Sequence, residues 1–476
     1  MKSANEPWTR ESAGLSALPS QAPALQVTAA ADADSLEPTL PTLTPLSGAT
    51  LTPPLPPLPS APASHETPRH SLQATAILLF GYAILITGNG LLSTLISLRL
   101  IEQQTPALVV GVVQSAYYAG FMVGALWGGG LIRRVGHHRA FVAFAAFSAC
   151  CALGFAVWRA APVWVALRFV MGFSLVGIFT VIESWLHQVA SNAHRGRVFS
   201  AYLITNYLGV GIGQFLLGLA DPAGFELFSV VSALFSASLI PVALAGGAPA
   251  QASAHGAAHS PAHSPVTASG ESVAQDGPSK LARGLSGLGI VYRWAPLGVF
   301  GCLAAGLLNS SFYTMQPIFM RRLDYSVVDV SHFMGFALLA ALLPQWPVAR
   351  LADLVDRRAV IAAVSALTAA CCVLLFVLQK GGLAVAIDYL YVAVVFSLYG
   401  VVTSYVNDGT PSDQRIPVSS ALLLIFSLGA SGGPTLASAA MALVGPRGLY
   451  LFAAIVTGTL TVLTLRSLRA VPRLRG

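Results

Sequence analysis

Long apolar runs constrain this chain more than any other feature of its sequence. A helix that crosses a bilayer needs about 20 mostly apolar residues, and the sequence holds about twelve such runs. Because lipid cannot satisfy the hydrogen-bonding groups of an open strand edge, such segments cross a membrane as helices. The sequence therefore predicts an all-α, polytopic membrane protein with about 12 transmembrane helices. The runs cover residues 74–98, 107–132, 140–157, 162–184, 198–219, 226–246, 295–318, 328–349, 359–378, 383–405, 416–443 and 448–468.

Composition agrees with a membrane protein and argues against a nucleic-acid partner. Of the 476 residues, 55% are hydrophobic and 9% are charged. The formal net charge is +7, but the basic residues sit in short clusters between apolar runs, where they orient a protein in its membrane. Since most of these clusters follow even-numbered runs, we expect a multi-pass protein with both termini in the cytoplasm.

The chain outside the apolar runs divides into tails and a linker. Residues 1–70 hold 13 of the 30 prolines, which predicts a disordered, Pro-rich cytoplasmic tail over residues 1–71. An over-extended gene start is the alternative interpretation. A segment rich in Ala, Ser, Gly and Pro predicts a flexible cytoplasmic linker over residues 247–292. We expect six-helix halves at residues 72–246 and 293–470, followed by a basic tail at 471–476.

The two halves repeat each other in sequence. "FSLVGIFT" from Phe173 matches "FSLYGVVT" from Phe396, and "RGRVFSAYLITNYLGVGIGQ" from Arg195 aligns with "RIPVSSALLLIFSLGASGGP" from Arg415. The first pair of copies lies 223 residues apart and the second pair 220 residues apart. The repeat predicts two pseudo-symmetric halves of six helices each.

Two further motifs and this organisation resemble a known family. The motifs are "IESWL" at 182–186 and "QWPVARLADLVDRR" at 345–358. With two six-helix halves, a long linker and a charged loop after helices 2 and 8, the chain resembles the major facilitator superfamily of secondary transporters. Within it, the chain resembles the YcaD-like group of bacterial inner-membrane proteins. The resemblance implies the fold of that superfamily and alternating access of a central site to the two sides of the membrane.

The charged loops after helices 2 and 8 are candidate gates. A carboxylate there can approach the positive N-terminus of a helix in the other half. We therefore expect Asp353 to latch onto the start of helix 5; the alternative is that it only offsets arginines that fix the topology. The first half has Arg133 where the family's loop has an aspartate. The candidate gating residues of the loops and of helix 5 are Arg133, Arg134, Arg195, Arg197, Asp353, Arg357 and Arg358.

Two acidic residues near the cytoplasmic ends of helices 4 and 10 are further gate candidates. Glu183 lies about 31 Å along helix 4, which favours a salt bridge with Arg133, Arg134 or Arg197. An ordinary interfacial glutamate is the alternative. Asp408 is its approximate counterpart on helix 10, with Arg415 or Arg358 as the expected partner.

Three ionisable residues are candidates for coupling to protons. Arg168 lies about 9 Å into helix 4, where a charge is costly unless it is paired or hydrated. "RFVMG" at 168–172 resembles a helix-4 motif of proton-coupled members of the superfamily; snorkelling to the outer interface is the alternative. Asp388 in helix 10 and His332 at the start of helix 8 can titrate, and each can equally be interfacial.

Neutral polar residues and glycines complete the candidate site. Amides on helices 1, 2, 5 and 7 can line a solute cavity, although hydrogen bonding between helices explains any one of them as well. Glycines on helices 5 and 11 permit close helix approach and bending. The amides are Asn89, Gln114, Asn206, Asn309 and Gln316, and the packing residues are Gly209, Gly213, Gly429, Gly433 and Pro434.

The resemblance, together with these residues, implies a secondary active transporter for a small organic solute, coupled to protons and working as an exporter. A facilitative uniporter is one alternative. A non-transporting membrane sensor or scaffold, with a protein partner on the Pro-rich tail, is another. No metal-ligand or nucleophile cluster with usable spacing is present, so we predict no enzyme activity, no metal and no cofactor. The expected partners are the solute, protons and the lipid bilayer.

Overall fold

We describe the protein from a computed structural model that covers residues 68–189, 195–244, 288–289, 291–293, 295–411 and 414–470. The predicted Pro-rich tail, linker and basic C-terminal tail therefore lie outside the described residues, apart from a few at their edges. The first helix begins at Pro68, which lies inside the segment predicted as tail.

The described residues contain twelve helices that are long and apolar enough to cross a membrane. The predicted fold class is therefore confirmed. We number the spans α1 to α12 and give the parts of a broken span the letters a and b. The spans are α1 (Pro68–Glu102), α2 (Ala107–Val135), α3 (His137–Val157), α4 (Ala161–Val189), α5 (Arg195–Phe215), α6a (Glu226–Ala237), α6b (Leu239–Leu244), α7 (Pro296–Arg322), α8a (Val327–Ala340), α8b (Gln345–Leu354), α9 (Arg357–Leu378), α10a (Gly382–Val395), α10b (Leu398–Asp408), α11 (Arg415–Val444) and α12 (Gly448–Ala470).

The break in α8 was not predicted. Residues 341–344 form turns between α8a and α8b, inside a run that the sequence predicts as one continuous helix. Pro344, which caps α8b, has no backbone N–H to donate and so interrupts the helical ladder. The break makes α8b a short separate helix, and this helix carries Asp353 at its end.

Short connections make successive spans antiparallel. A single residue, Gly136, separates α2 from α3, and its φ of 87° belongs to the left-handed region that favours glycine. Because the spans alternate in direction, α1 begins and α12 ends at the same end of the bundle. We call this the tail end and the opposite one the far end.

The helices form two halves, α1–α6 and α7–α12, that meet along three helix pairs. The pairs are α1 with α7, α2 with α11 and α5 with α8a. Within each half, glycines allow two backbones to approach closely. A Cβ at Gly213 of α5 would meet the backbone of α1 at Thr87, and a Cβ at Gly433 of α11 would meet α7 at Leu307. The predicted packing glycines thus lie at helix contacts that are equivalent in the two halves.

Candidate functional site

Arg168 is a buried cation held by a polar relay. It is 3% exposed on α4, where its guanidinium donates to Gln114 Oε1 of α2 and lies over the ring of Tyr117 at 4.7 Å. The amide nitrogen of Gln114 donates to Ser97 Oγ of α1 at 2.6 Å. The guanidinium Nε is buried without a hydrogen-bond partner. Because a buried charge costs several kcal/mol unless it is compensated, the relay fixes where this charge sits.

Asp388 is the buried anion of the other half. It is 5% exposed on α10a, and Gln316 Nε2 of α7 donates to its Oδ2 at 2.5 Å. Tyr450 of α12 donates to Gln316 Oε1 at 3.0 Å. Asp388 Oδ1 is buried without a hydrogen-bond partner. No basic side chain of the described residues forms an ion pair with it, so the carboxylate is compensated only by neutral donors.

The two buried charges, Arg168 and Asp388, lie at similar depth near the far end. Arg168 follows the start of α4 by seven residues, and Asp388 follows the start of α10a by six. We call Arg168, Gln114, Gln316 and Asp388 the far-end charge layer. A cavity of about 10 Å³ adjoins Asp388 between the ends of α7, α8a, α9 and α10a. This volume is on the order of that needed for one water molecule.

Three pairs of described residues form hydrogen bonds between the halves near the far end. Ser97 Oγ of α1 donates to the carbonyl oxygen of Thr314 on α7 at 2.9 Å. The hydroxyls of Ser115 on α2 and Thr435 on α11 are 2.8 Å apart. We call the three contacts the far-end seam; the third links Ser331 Oγ of α8a to the carbonyl oxygen of Gln214 on α5 at 2.7 Å.

The relay from Arg168 reaches the seam directly. Ser97 both accepts from Gln114 and donates to Thr314. Thr314 in turn lies two residues before Gln316, which holds Asp388. The buried cation and the buried anion therefore connect to α7 at positions two residues apart.

The charges at the tail end pair within the second half. Arg357 Nε lies 2.6 Å from Asp408 Oδ2, and Arg357 Nη2 lies 3.2 Å from Asp353 Oδ1. Asp408 therefore does not pair with either partner expected from the sequence, because the start of α9 brings Arg357 to the end of α10b. Arg358 pairs with Asp356, which also caps α9.

The predicted latch between Asp353 and α5 is not formed in this conformation. The Asp353 side chain is 68% exposed, and its ion pair is with Arg357 of its own half. Arg197 and Arg134 are exposed, and the side chains of Arg133 and Arg195 lie outside the described part of the chain.

Glu183 is buried rather than interfacial. It is 7% exposed on α4 and accepts a hydrogen bond from the Tyr202 hydroxyl of α5 at 3.0 Å. Neither Arg134 nor Arg197 forms an ion pair with it, so these two predicted pairings are absent here. The ring of Tyr202 stacks on Tyr82 of α1 at 4.9 Å. Tyr82 donates to Asn206 Oδ1 of α5 at 3.0 Å.

The predicted cavity amides fall into different environments. Gln114 and Gln316 are fully buried and hold the two charges, so they take up the alternative role of hydrogen bonding between helices. Asn206 is half-buried beside Tyr82. Asn309 of α7 has a buried Oδ1 without a partner, and Asn89 lies within reach of the Tyr117 hydroxyl.

His332 lies next to Ser331 of the far-end seam and is not one of the four residues of the far-end charge layer. Its exposed ring is 5.9 Å from that of Phe215 on α5, across the interface between the halves. No group of three His, Cys, Asp or Glu side chains suited to a metal ion occurs in the described ranges.

Sequence reasoning missed several residues of this site. Gln214 is fully buried, accepts from Thr94 and donates to the carbonyl oxygen of Gly90. Ser97 and Thr314 were also missed because isolated hydroxyls are common in membrane helices, where most bond to their own backbone. The sequence signal that could have found Gln214 is its position among the glycines of α5, where a neighbouring backbone comes close.

Comparisons with known proteins agree with this fold. The sequence model described as Major Facilitator Superfamily matches residues 78–415. The "Uncharacterized MFS-type transporter YcaD" of Escherichia fergusonii is 27% identical over 401 residues, which span 83% of this chain and 95% of that protein.

Solved structures give the same result. The nucleoside transporter NupG matches with a TM-score of 0.64 and 14% identity over 84% of this chain and 98% of its own. A D-xylose-proton symporter matches with a TM-score of 0.57 and 14% identity over 84% of this chain and 97% of its own. At these identities the likeness shows a shared fold.

Proposed function

The chain belongs to the Major Facilitator Superfamily and is a multi-pass membrane transporter, and we propose that it exports a small organic solute in exchange for protons. In this proposal the tail end faces the cytoplasm and the membrane is the bacterial inner membrane. The basic residues at the tail end, among them Arg134, Arg350 and Arg466, support this orientation because positive charge collects on the cytoplasmic side.

The observation that carries the proposal is the buried carboxylate of Asp388, which forms no ion pair with any described basic side chain. Its unpartnered Oδ1 and the adjoining water-sized cavity would let a proton arrive from the far end. Binding a proton removes the buried charge and changes what Gln316 has to compensate. Since Gln316 lies two residues from Thr314, proton binding acts on α7 at the point where the seam holds the halves together.

Arg168 has a matching role in the first half. Its relay through Gln114 ends at Ser97, the other partner in the seam. In this proposal, opening the far end breaks the contact between Ser97 and Thr314 and so changes the hydrogen bonds of the Arg168 relay. Such a two-state interface is what alternating access requires, because a ligand shifts the equilibrium by its differential affinity for the two states.

The cytoplasmic latch is the counterpart at the other end. We propose that Asp353 contacts the start of α5 when the tail end closes and the seam opens. Arg357 pairs with both Asp353 and Asp408 in the present conformation. Breaking its pair with Asp353 would free Asp353 to contact α5. These exposed pairs are each worth about 0–1 kcal/mol, which suits contacts that must break in every cycle.

The test is solute-dependent proton movement in sealed proteoliposomes. A pH-sensitive dye reports the internal pH while a panel of organic solutes is added under an imposed proton gradient. We expect at least one solute to move protons with the wild-type protein and not with Arg168→Ala. Arg159→Ala, which removes an exposed arginine near the far end, is the matched control. Solute flux without proton movement would instead identify a uniporter.

A further inference from the structure

Glu183 raises a question that the proposed function leaves open. A carboxylate that is 93% removed from solvent, with a neutral phenol as its hydrogen-bond donor, is costly to keep charged. Glu183 in the first half resembles Asp388 in the second half, because neither carboxylate forms an ion pair with a described side chain. The two carboxyls lie toward opposite ends of the bundle.

The depth of Glu183 separates it from the far-end charge layer. It follows Arg168 on α4 by 15 residues, or about 22 Å along the helix. It precedes the end of α4 at Val189 by six residues, about 9 Å. A group at this depth can exchange with the tail-end side without passing through the seam.

The neighbours of Glu183 determine what it can bind. The rings of Tyr82 and Tyr202 are fully buried and stacked on each other, so their faces are not open to an organic cation. The edge of Phe179 closes the other side of Tyr82 at 6.1 Å. A proton needs no such space, because a carboxyl group accepts it on an oxygen that already exists.

The charged and titratable groups on the elements packed around Glu183 leave the position without a cation among the described side chains. Tyr82 comes from α1 and Tyr202 from α5. From α3, the ring of His138 lies 6.4 Å from that of Trp185, two residues along α4. The first-half arginines near this end include Arg134, Arg139 and Arg197, all exposed, and Arg133 and Arg195, whose side chains are outside the described set. His137 of α3 is half-buried.

We propose that Glu183 is a second proton-binding site, linked through Tyr202 and Tyr82 to the half-buried amide of Asn206 on α5. The Tyr202 hydroxyl donates to the ionised carboxylate and can accept from the protonated carboxyl, so it partners both forms. Tyr82 continues the chain by donating to the half-buried amide of Asn206. Each half of the protein then carries one protonatable carboxyl, Asp388 toward the far end and Glu183 toward the tail end.

The role of this site in transport rests on the proposed function, since a proton carried by Glu183 drives solute only if the protein is proton-coupled. In that setting the two sites predict that protons enter at Asp388 and leave at Glu183.

Infrared difference spectroscopy of the full-length protein in lipid tests the site without any solute. A change of pH should produce a carbonyl band of protonated carboxyl groups with two components. We expect Glu183→Gln to remove one component and Asp388→Asn to remove the other. Glu226→Gln, which alters an exposed glutamate in the first turn of α6a, should leave both. An unchanged spectrum in Glu183→Gln would overturn the proposal.

A second variant keeps the carboxyl and changes only its partner. Tyr202→Phe removes the hydroxyl while preserving the stacked ring, so the Glu183 component should shift in frequency and in titration midpoint rather than disappear. An unshifted component would show that Tyr202 is not its partner. If the two components are present but no solute moves protons, the proton site stands and the proposed function fails.

Discussion

Gln316 donates its side-chain amide to Asp388 at 2.5 Å, and Tyr450 donates to the other end of the same amide at 3.0 Å. The glutamine is thus fixed at both ends, with its carbonyl occupied by the phenol and its NH₂ group directed at the carboxylate. A proton on Asp388 weakens the hydrogen bond from the Gln316 NH₂ group to the Asp388 carboxyl, because an ionised acceptor makes the stronger hydrogen bond. The state of the carboxyl is therefore transmitted to α7.

Asp388→Asn should uncouple solute movement from protons. The amide has nearly the same shape and can still hydrogen-bond Gln316, but it cannot bind a proton. We expect proton-driven accumulation to fall by roughly tenfold or more while exchange of labelled solute without a gradient persists. The measurement is accumulation against exchange in proteoliposomes.

The matched control for that change is Asp324→Asn. Asp324 is exposed and has a φ of 60°, a backbone region that asparagine tolerates well. The Asp324→Asn protein should accumulate solute to the same level as the wild type. Full accumulation by Asp388→Asn would remove this residue from the coupling mechanism.

Arg168→Lys should lower turnover even though it conserves charge. A lysine ammonium is a point charge without the planar fork, so it cannot lie over Tyr117 and donate to Gln114 as the guanidinium does. We expect the initial transport rate to fall about tenfold, which corresponds to about 1.4 kcal/mol. Arg159→Lys, at an exposed position, should keep the wild-type rate, and a wild-type rate for Arg168→Lys would mean that charge alone suffices.

Ser97→Ala should loosen the far-end seam. The hydroxyl accepts from Gln114 and donates to Thr314, and a hydrogen bond of this kind contributes about 1 kcal/mol. The population of the far-end-open state should therefore rise about fivefold. Distances between spin labels at residues 159 and 447, on loops of the two halves, report that population in a variant without the five native cysteines.

Ser148→Ala is the control for the serine substitution. Ser148 is a fully buried serine of α3 whose hydroxyl has no hydrogen-bond partner. Its label distances should match those of the unsubstituted protein. If Ser97→Ala also matches them, the contact with Thr314 does not hold the seam.

Asp353→Asn should slow transport without weakening solute binding or the fold. Its ion pair with Arg357 is exposed, so its loss should change the free energy of unfolding by less than about 1 kcal/mol. A latch at the tail end acts on the rate of conformational change, so the maximal rate should fall severalfold while the half-saturating concentration stays nearly constant. Concentration-dependent initial rates and thermal unfolding in detergent separate these effects, and an unchanged maximal rate would refute the latch.

The twelve spans could be predicted because length and apolarity are local properties of the sequence. The hydrogen-bond and ion-pair partners of the polar side chains could not be predicted, because they depend on which helix faces meet. Asp408 pairs with Arg357 only because α9 begins beside the end of α10b. Gln114 appears in the sequence as a cavity amide, yet its helix face turns it toward Arg168. The position of Glu183 along α4 follows from its place in the sequence, but its burial against α5 requires knowledge of the packing.

Gly111→Ala should favour the far-end-open state more strongly than Ser97→Ala. Gly111 lies early in α2, where an added Cβ would meet the Ser438 hydroxyl and the carbonyl oxygen of Pro434 on α11. Backbone at this contact cannot move aside without separating the two helices. The variant should therefore lengthen the far-end label distance and reduce turnover. Gly128→Ala on the same helix has open space around its Cβ and should change neither quantity. A Gly111→Ala protein with the wild-type distance would show that α2 and α11 can close the far end without this close approach.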